Sequence, residues 1–198
     1  MTISEIFRSI QGEGRFMGTP MLFIRLSGCT RNCSFCDTKY HTNSNTISPK
    51  KLISIIQKDN LQNICWTGGE PLMQKESIHE IIAATKNKFH TVETNGDLLD
   101  KKDFNHFNNV TCSPKDLKTA KKVYALKKDF PVDIKVVSDG KTFGKDMLAF
   151  ADYVMPLTTE NSEKNEEIEK NVWQYCVENN KLFSPRLQYL IFSNKKGV

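Results

Sequence analysis

The stretch PMLFIRLSGCTRNCSFCDT, residues 20–38, runs from an apolar segment straight into a loop that holds Cys29, Cys33 and Cys36. Residues 20–28 read as a buried strand. Three thiols in one tight loop are more than a disulfide needs and one fewer than a structural zinc site takes. His41, five residues past Cys36, could complete a zinc site, but structural zinc usually draws on two separated ligand pairs. Soft thiolates also hold iron–sulfur clusters. Three of them bind three irons of a [4Fe–4S] cube and leave the fourth iron open to a ligand. What surrounds the loop favours the cluster.

Working outward, strand-like and helix-like segments alternate. SPKKLISIIQKD (48–59) reads as a helix, with Ser48 as N-cap, Pro49 in the first turn and an apolar stripe of Leu52, Ile53, Ile55 and Ile56. NICWT (63–67) is a strand that ends in Gly68 and Gly69. Residues 75–87 are a helix, 89–96 a strand, 109–113 a strand and DLKTAKKVYALKK a helix. Then come a strand at 132–138, a short helix at 144–151, a strand at 152–157, the longest helix at 160–180 and a closing strand at 185–192. This spacing implies parallel βα units in one sheet, about six of them, too few for a closed eight-stranded barrel. The expected fold is an α/β partial parallel barrel of about six strands, in a single domain spanning residues 1–198. The cysteine loop, TGGEP (67–71), ETNG (93–96), SPK (113–115) and MPLT (155–158) all fall at strand C-terminal ends, the edge where parallel α/β sheets bind ligands.

The totals narrow the class. The chain has 198 residues, enough for a sizeable core, and a net charge of +5. Many of the lysines lie on helix-like segments, where a solvated face explains them, so no nucleic-acid groove is read. No run of about 18 apolar residues suggests a membrane span, and the first residues lack the apolar core of a signal peptide. The expected compartment is the cytoplasm, where clustered cysteines are metal ligands or catalytic groups more often than disulfides. Cys65 and Cys112 sit in apolar runs and read as small buried hydrophobes. Glu13 is either a turn residue or a ligand, and Glu93 either an exposed carboxylate or a contact to a nucleoside ribose. Trp66 reads as core. His79, His90 and His106 are given no chemistry.

The spacing Cys29-x3-Cys33-x2-Cys36, with the aromatic Phe35 before the last cysteine and Gly68-Gly69-Glu70-Pro71 after the second strand, resembles the radical S-adenosylmethionine (SAM) superfamily. EIFRSIQGEGRFMGTPMLFIRLSGC (5–29), with the later CDT, TGGEP, ETNG, SPK and DIKVV, resembles the 7-carboxy-7-deazaguanine synthase family over nearly the whole chain. That resemblance implies a [4Fe–4S] cluster on Cys29, Cys33 and Cys36, whose open iron is chelated by SAM, and a 5′-deoxyadenosyl radical that abstracts a substrate hydrogen. It implies ring contraction of 6-carboxy-5,6,7,8-tetrahydropterin to 7-carboxy-7-deazaguanine, with loss of ammonia and with Mg2+ assisting. By position, SAM contacts fall on Gly69, Glu70, Ser113, Pro114, Lys115, Met155, Pro156, Leu157 and Thr158. Substrate contacts fall on Ile10, Gln11, Gly12, Glu13, Arg25 and Thr67, with Val198 the counterpart of a C-terminal contact made in some members. Thr38 falls on the magnesium position, Glu70 could add negative charge beside the SAM ammonium, and the Arg25 guanidinium could grip the substrate carboxylate. The resemblance also implies a homodimer and an external flavodoxin- or ferredoxin-like electron donor, with no nucleic-acid or membrane partner. Gln188 stands where many members have a histidine. The nearest rival is a glycyl-radical activase, a class that lacks the SIQGEG opening.

Overall fold

The computed structural model describes residues 1–36, 45–193, 195 and 197. Its strands are β1 (Thr2–Ile10), β2 (Pro20–Leu26), β3 (Asn45–Thr46), β4 (Asn63–Gly68), β5 (Phe89–Thr94), β6 (Asn109–Cys112), β7 (Val132–Ser138), β8 (Tyr153–Pro156) and β9 (Leu182–Phe183). Its helices are α1 (Pro49–Lys58), α2 (Lys75–Ala84), α3 (Leu117–Leu126), α4 (Ser162–Asn179) and α5 (Leu187–Phe192). The strands form one open sheet in the order β3-β1-β2-β4-β5-β6-β7-β8-β9. The six βα strands β2, β4, β5, β6, β7 and β8 are parallel, β9 continues them, and β1 and β3 are antiparallel additions at one edge.

Strand side chains alternate between two faces. Leu22, Ile24 and Leu26 of β2 pair in register with Ile64, Trp66 and Gly68 of β4. With Val92, Val110, Ile134, Val136 and Val154 they form the main core against the helices, packing on Leu52, Ile56, Ile78, Ile81, Val123 and Val172. Each such side chain stabilises the fold by roughly 1.5–3 kcal/mol relative to exposure. Local chemistry starts the helices where the sequence places them. The Ser48 hydroxyl accepts from Lys51 N–H at the start of α1, Asp116 caps α3 through Thr119 N–H, and Asn161 caps α4 through Lys164 N–H.

The other face has only a small apolar cluster of Met21, Phe23 and Cys65, backed by Phe7 and Phe16. Beyond it the inward positions turn polar: Arg25 and Thr67 are register partners, as are Glu93 and Thr111, and Thr111 and Asp133. Laid flat, β1 and β7 would lie about 24 Å apart, five strand spacings. Instead, the loop after β1 reaches β7 across this face. Arg15 bonds Asp133 at 2.6 Å and Glu13 bonds Lys135 at 2.7 Å. The sheet therefore curls into an open trough, helices outside and polar residues inside. Because β1 is antiparallel, that loop enters from the N-terminal edge of the parallel strands and floors the trough, opposite the cysteine loop.

Among the described residues the sheet has nine strands where about six were expected: β1, β3 and β9 are additions, and the helix expected at 144–151 is a 3-10 segment, Lys145–Phe150. The closing strand expected at 185–192 is the helix α5. β9 already occupies the place beside β8, with Ser184 N–H bonded to Val154 O, and Pro185 has no N–H with which to extend the pairing. The chain turns inward there, and Leu187 N–H bonds Gly12 O. β1 escaped the pattern reading because its register shifts between Ile3 and Glu5, which breaks the alternation. Among the described residues no helix is long and apolar enough to cross a membrane.

Ile78 is fully buried between α2 and the sheet. Ile78→Ala is expected to lower unfolding free energy by about 2–5 kcal/mol, read from the urea midpoint at constant slope. A loss below about 1 kcal/mol would mean that α2 does not cover this core as described.

Candidate active site

The upper rim is built by backbone contact. Gly69 N–H donates to Leu26 O and Glu70 N–H donates to Gly28 O, which presses the turn after β4 onto the loop after β2. A Cβ on Gly69 would lie 1.8 Å from Gly28 O and 3.2 Å from the Cys29 Cβ, so only glycine permits the approach. Cys29, Cys33 and Cys36 are half-buried and form no disulfide. The Cys29 sulfur accepts from Arg31 N–H at 3.4 Å, and Asn95 Nδ2 lies 3.9 Å away. Arg31 anchors the loop with two bonds to Asp97 and a third contact to Asp116 Oδ2 at 2.6 Å. Cys65, Cys112 and Cys176 are buried in the core, where desolvation raises their thiols.

The inner wall and floor are charged. Lys135, mid-way along β7, is only 4% exposed and donates to Glu13 Oε2 at 2.7 Å and Glu93 Oε2 at 3.0 Å. Glu13 Oε1 also accepts from Gln188 Nε2 at 2.7 Å and from Arg186 Nε at 3.4 Å. Burial alone would raise the Glu13 carboxyl, but Lys135, Arg186 and the hydrogen bonds from Lys135 and Gln188 bring it from 4.5 down to about 2. Burial pushes Glu93 up; Lys135 opposes this and the nearby Glu13 charge adds to it. Burial would lower Lys135, yet the two carboxylates hold it above the ordinary lysine value. Gln188 Oε1 is buried and has no hydrogen-bond partner among the described residues.

Most residues expected from the sequence line this trough. Thr67 and Arg25 face inward as register partners. Gln11 is buried on the floor, with Nε2 donating to Glu93 Oε1 at 3.3 Å. Gly12 lies under Gln188, so close that a Cβ would sit 1.8 Å from the Gln188 Oε1. Ile10 ends β1 half-exposed. Ser113 uses its hydroxyl to bond Lys135 O, and Thr158 Oγ1 accepts from Arg186. Pro114 and Lys115 line a recess of about 290 Å³ beside the cysteine loop, together with Phe35, Val137 and Phe143. Met155 and Pro156 end β8 and are buried; Leu157 follows half-buried. Thr38 and Val198, like His41, lie outside the described residues.

One expectation changes. Glu70 does not offer its charge to a ligand. It is fully buried, and its oxygens accept from Leu72 N–H, Thr94 Oγ1 and Asn95 N–H, tying the rim to the end of β5. Burial pushes its carboxyl up against those three bonds. Arg25 is paired with Glu5 at 2.6 Å and lies 5.4 Å from the Phe7 ring. Lys135, Arg186 and Asn95 were not singled out from the sequence. A lysine alternating with an aspartate inside the apolar VDIKVVS is the signal that marks Lys135.

The family described as the radical SAM superfamily matches residues 23–122. The 7-carboxy-7-deazaguanine synthase of Aquifex aeolicus is 33% identical over 156 residues, which covers 75% of this chain and 69% of that protein. The chain belongs to the radical SAM superfamily, in the 7-carboxy-7-deazaguanine synthase family. The synthase of Thermoplasma acidophilum is 41% identical over 100 residues, and there the match spans about half of each protein, 48% of this chain and 47% of the relative. The crystal structure of QueE from Escherichia coli shares the fold with a TM-score of 0.66 at 22% identity, over 93% of this chain and 92% of that one. Membership in the radical SAM superfamily implies a [4Fe–4S] cluster and SAM. The residues present fit both. Three half-buried thiols share one anchored loop, an N–H is directed at the Cys29 sulfur, and a glycine cradle that any side chain would fill adjoins them. Among the described residues no group of three or more His, Cys, Asp or Glu is arranged to hold a single metal ion.

Because the Glu13 carboxyl is held below its ordinary 4.5, its stabilising contribution is full above that pH and is lost as pH falls toward about 2. The urea midpoint of the wild type should therefore exceed that of Glu13→Gln at about pH 6, and the gap should shrink as pH falls to about 2. A gap that widens on acidification would contradict the ion-pair assignment.

Proposed function

We propose that this chain is a 7-carboxy-7-deazaguanine synthase, a carbon–nitrogen lyase that contracts 6-carboxy-5,6,7,8-tetrahydropterin to 7-carboxy-7-deazaguanine with loss of ammonia. The observation that carries the reading is the trough itself. The three-cysteine rim and the Gln11–Glu13 floor face each other across an inner wall that is polar where a folded core would be apolar. Glu13, held ionised, accepts from N–H donors, which a pterin's guanidine-like edge supplies. Arg25, steadied by Glu5 and Phe7, meets the substrate carboxylate, and Thr67 lies beside it.

Cys29, Cys33 and Cys36 hold the [4Fe–4S] cluster. Gly69, Ser113, Pro114, Lys115 and residues Met155 to Thr158 border SAM. When bound, cluster and SAM supply the one-electron chemistry that starts the rearrangement. The protein's part is to bind the pterin in one orientation, keep water from the trough and hold charge at fixed points. Thr38 serves as a magnesium ligand and Val198 as a substrate contact, the roles that the family resemblance supports. The same resemblance supports one domain over residues 1–198, a homodimer, a flavodoxin- or ferredoxin-like reductant and a cytoplasmic location.

The test is anaerobic turnover. Protein reconstituted with iron and sulfide, given SAM, a reductant, magnesium and 6-carboxytetrahydropterin, is expected to form 7-carboxy-7-deazaguanine, detected by mass spectrometry, with SAM recovered. Accumulation of 5′-deoxyadenosine without the deazapurine overturns the substrate assignment. Cys33→Ala is expected to lose both iron and turnover; a variant that keeps its iron would reject the cysteine ligand set. Arg25→Ala should weaken pterin binding about tenfold or more while SAM affinity holds, as loss of a charged hydrogen bond predicts. Equal loss of both ligands would reject its substrate role.

A further inference from the structure

Four residues on the trough's floor and wall form a ring that is closed through the Glu13 backbone N–H. Lys135 Nζ donates to Glu13 Oε2 and to Glu93 Oε2. Gln11 Nε2 donates to Glu93 Oε1, and Glu13 N–H donates back to Gln11 Oε1 at 3.3 Å. The ring ties the floor loop to two strands, β5 through Glu93 and β7 through Lys135. Burying a lysine is costly, and the fold does not require one here: inward-facing Thr111 on the adjoining strand β6 is neutral. Backbone bonds fix where Glu13 sits but not where its carboxylate points: Glu13 N–H bonds Gln11 Oε1, Gly12 O accepts from Leu187 N–H and Gly14 N–H bonds Ser184 Oγ. Three groups hold the Glu13 carboxylate. Arg186 and Gln188 belong to the C-terminal segment; Lys135 alone is rooted in the sheet.

We propose that Lys135 is a positioning residue for the substrate: through the ring it sets the orientation of the Glu13 carboxylate that the pterin's N–H edge meets, with Glu93 and Gln11 as its struts. This rests on the pterin reading above and goes beyond it by naming a residue that acts through Glu13. The charged groups around the ring are Arg186 from the C-terminal segment, Asp133 from β7 and Arg15 from the floor loop, the last two paired with each other.

The experiment compares wild type, Lys135→Met and Lys135→Arg, each reconstituted anaerobically with iron and sulfide. It measures iron content, SAM affinity and 6-carboxytetrahydropterin affinity across about pH 5–8. Lys135→Met is expected to keep iron and SAM affinity and to lose pterin affinity about tenfold or more, most at the acid end, where an unsupported Glu13 gains a proton. Lys135→Arg should recover part of the loss. Wild-type pterin affinity in Lys135→Met overturns the proposal. So does parallel loss of iron, SAM and pterin, which marks a structural role. If Lys135→Met does not fold, Glu93→Gln carries the test, with pterin affinity expected to fall at least about threefold and an unchanged value overturning the proposal. A wild type that holds iron and SAM but binds no pterin overturns the functional reading, and this inference with it.

Discussion

A lysine ammonium buried in a sheet must bring its counter-charges with it. Lys135 draws Glu13 and Glu93 to itself, and Glu13 belongs to the loop that leaves β1. That single requirement links the loop after β1 to β7, five strands along in the sheet order. It brings the floor loop under β7, and Arg15 adds a second link by pairing with Asp133. The ion pairs offset the cost of burying Lys135, because each charge of the wall finds a partner.

The rim obeys a different constraint. There the backbone packs directly against backbone, and Gly69 leaves no room for a side chain. Glu70 turns away from the trough and braces the end of β5, so the turn after β4 is held from both sides. Arg31, with Asp97 and Asp116, fastens the cysteine loop to the segments that follow β5 and β6. Rim and floor are thus made rigid by unlike means: close packing above, ion pairing below. In the proposed function, a cofactor held by the thiols and a substrate held by the charges meet between them.

The βα alternation was legible because each buried strand is short, apolar and closed by a turn, and α1, α3 and α4 carry their own side-chain caps. β1 was not, since a register shift hides its periodicity. α5 was misread as a strand because LQYLIF is an apolar run too short to show a period. Leu190 and Ile191 are in fact exposed. Among the site residues, the cysteines and the glycine turn could be read from spacing, which the chain carries locally. The Lys135–Glu13 pair joins residues 122 positions apart, and no spacing reports it.

The sequence by itself determined the six βα units, the three-thiol loop and the glycine turn that forms the cradle, because each depends on neighbours within a few residues or on a repeating unit. Only the tertiary structure decided that Glu70 is a brace, that Arg25 is paired with Glu5 and that the QGEG loop floors the trough from the opposite edge. Those outcomes depend on how the sheet curls, and the curl follows from contacts between strands that are distant in the chain.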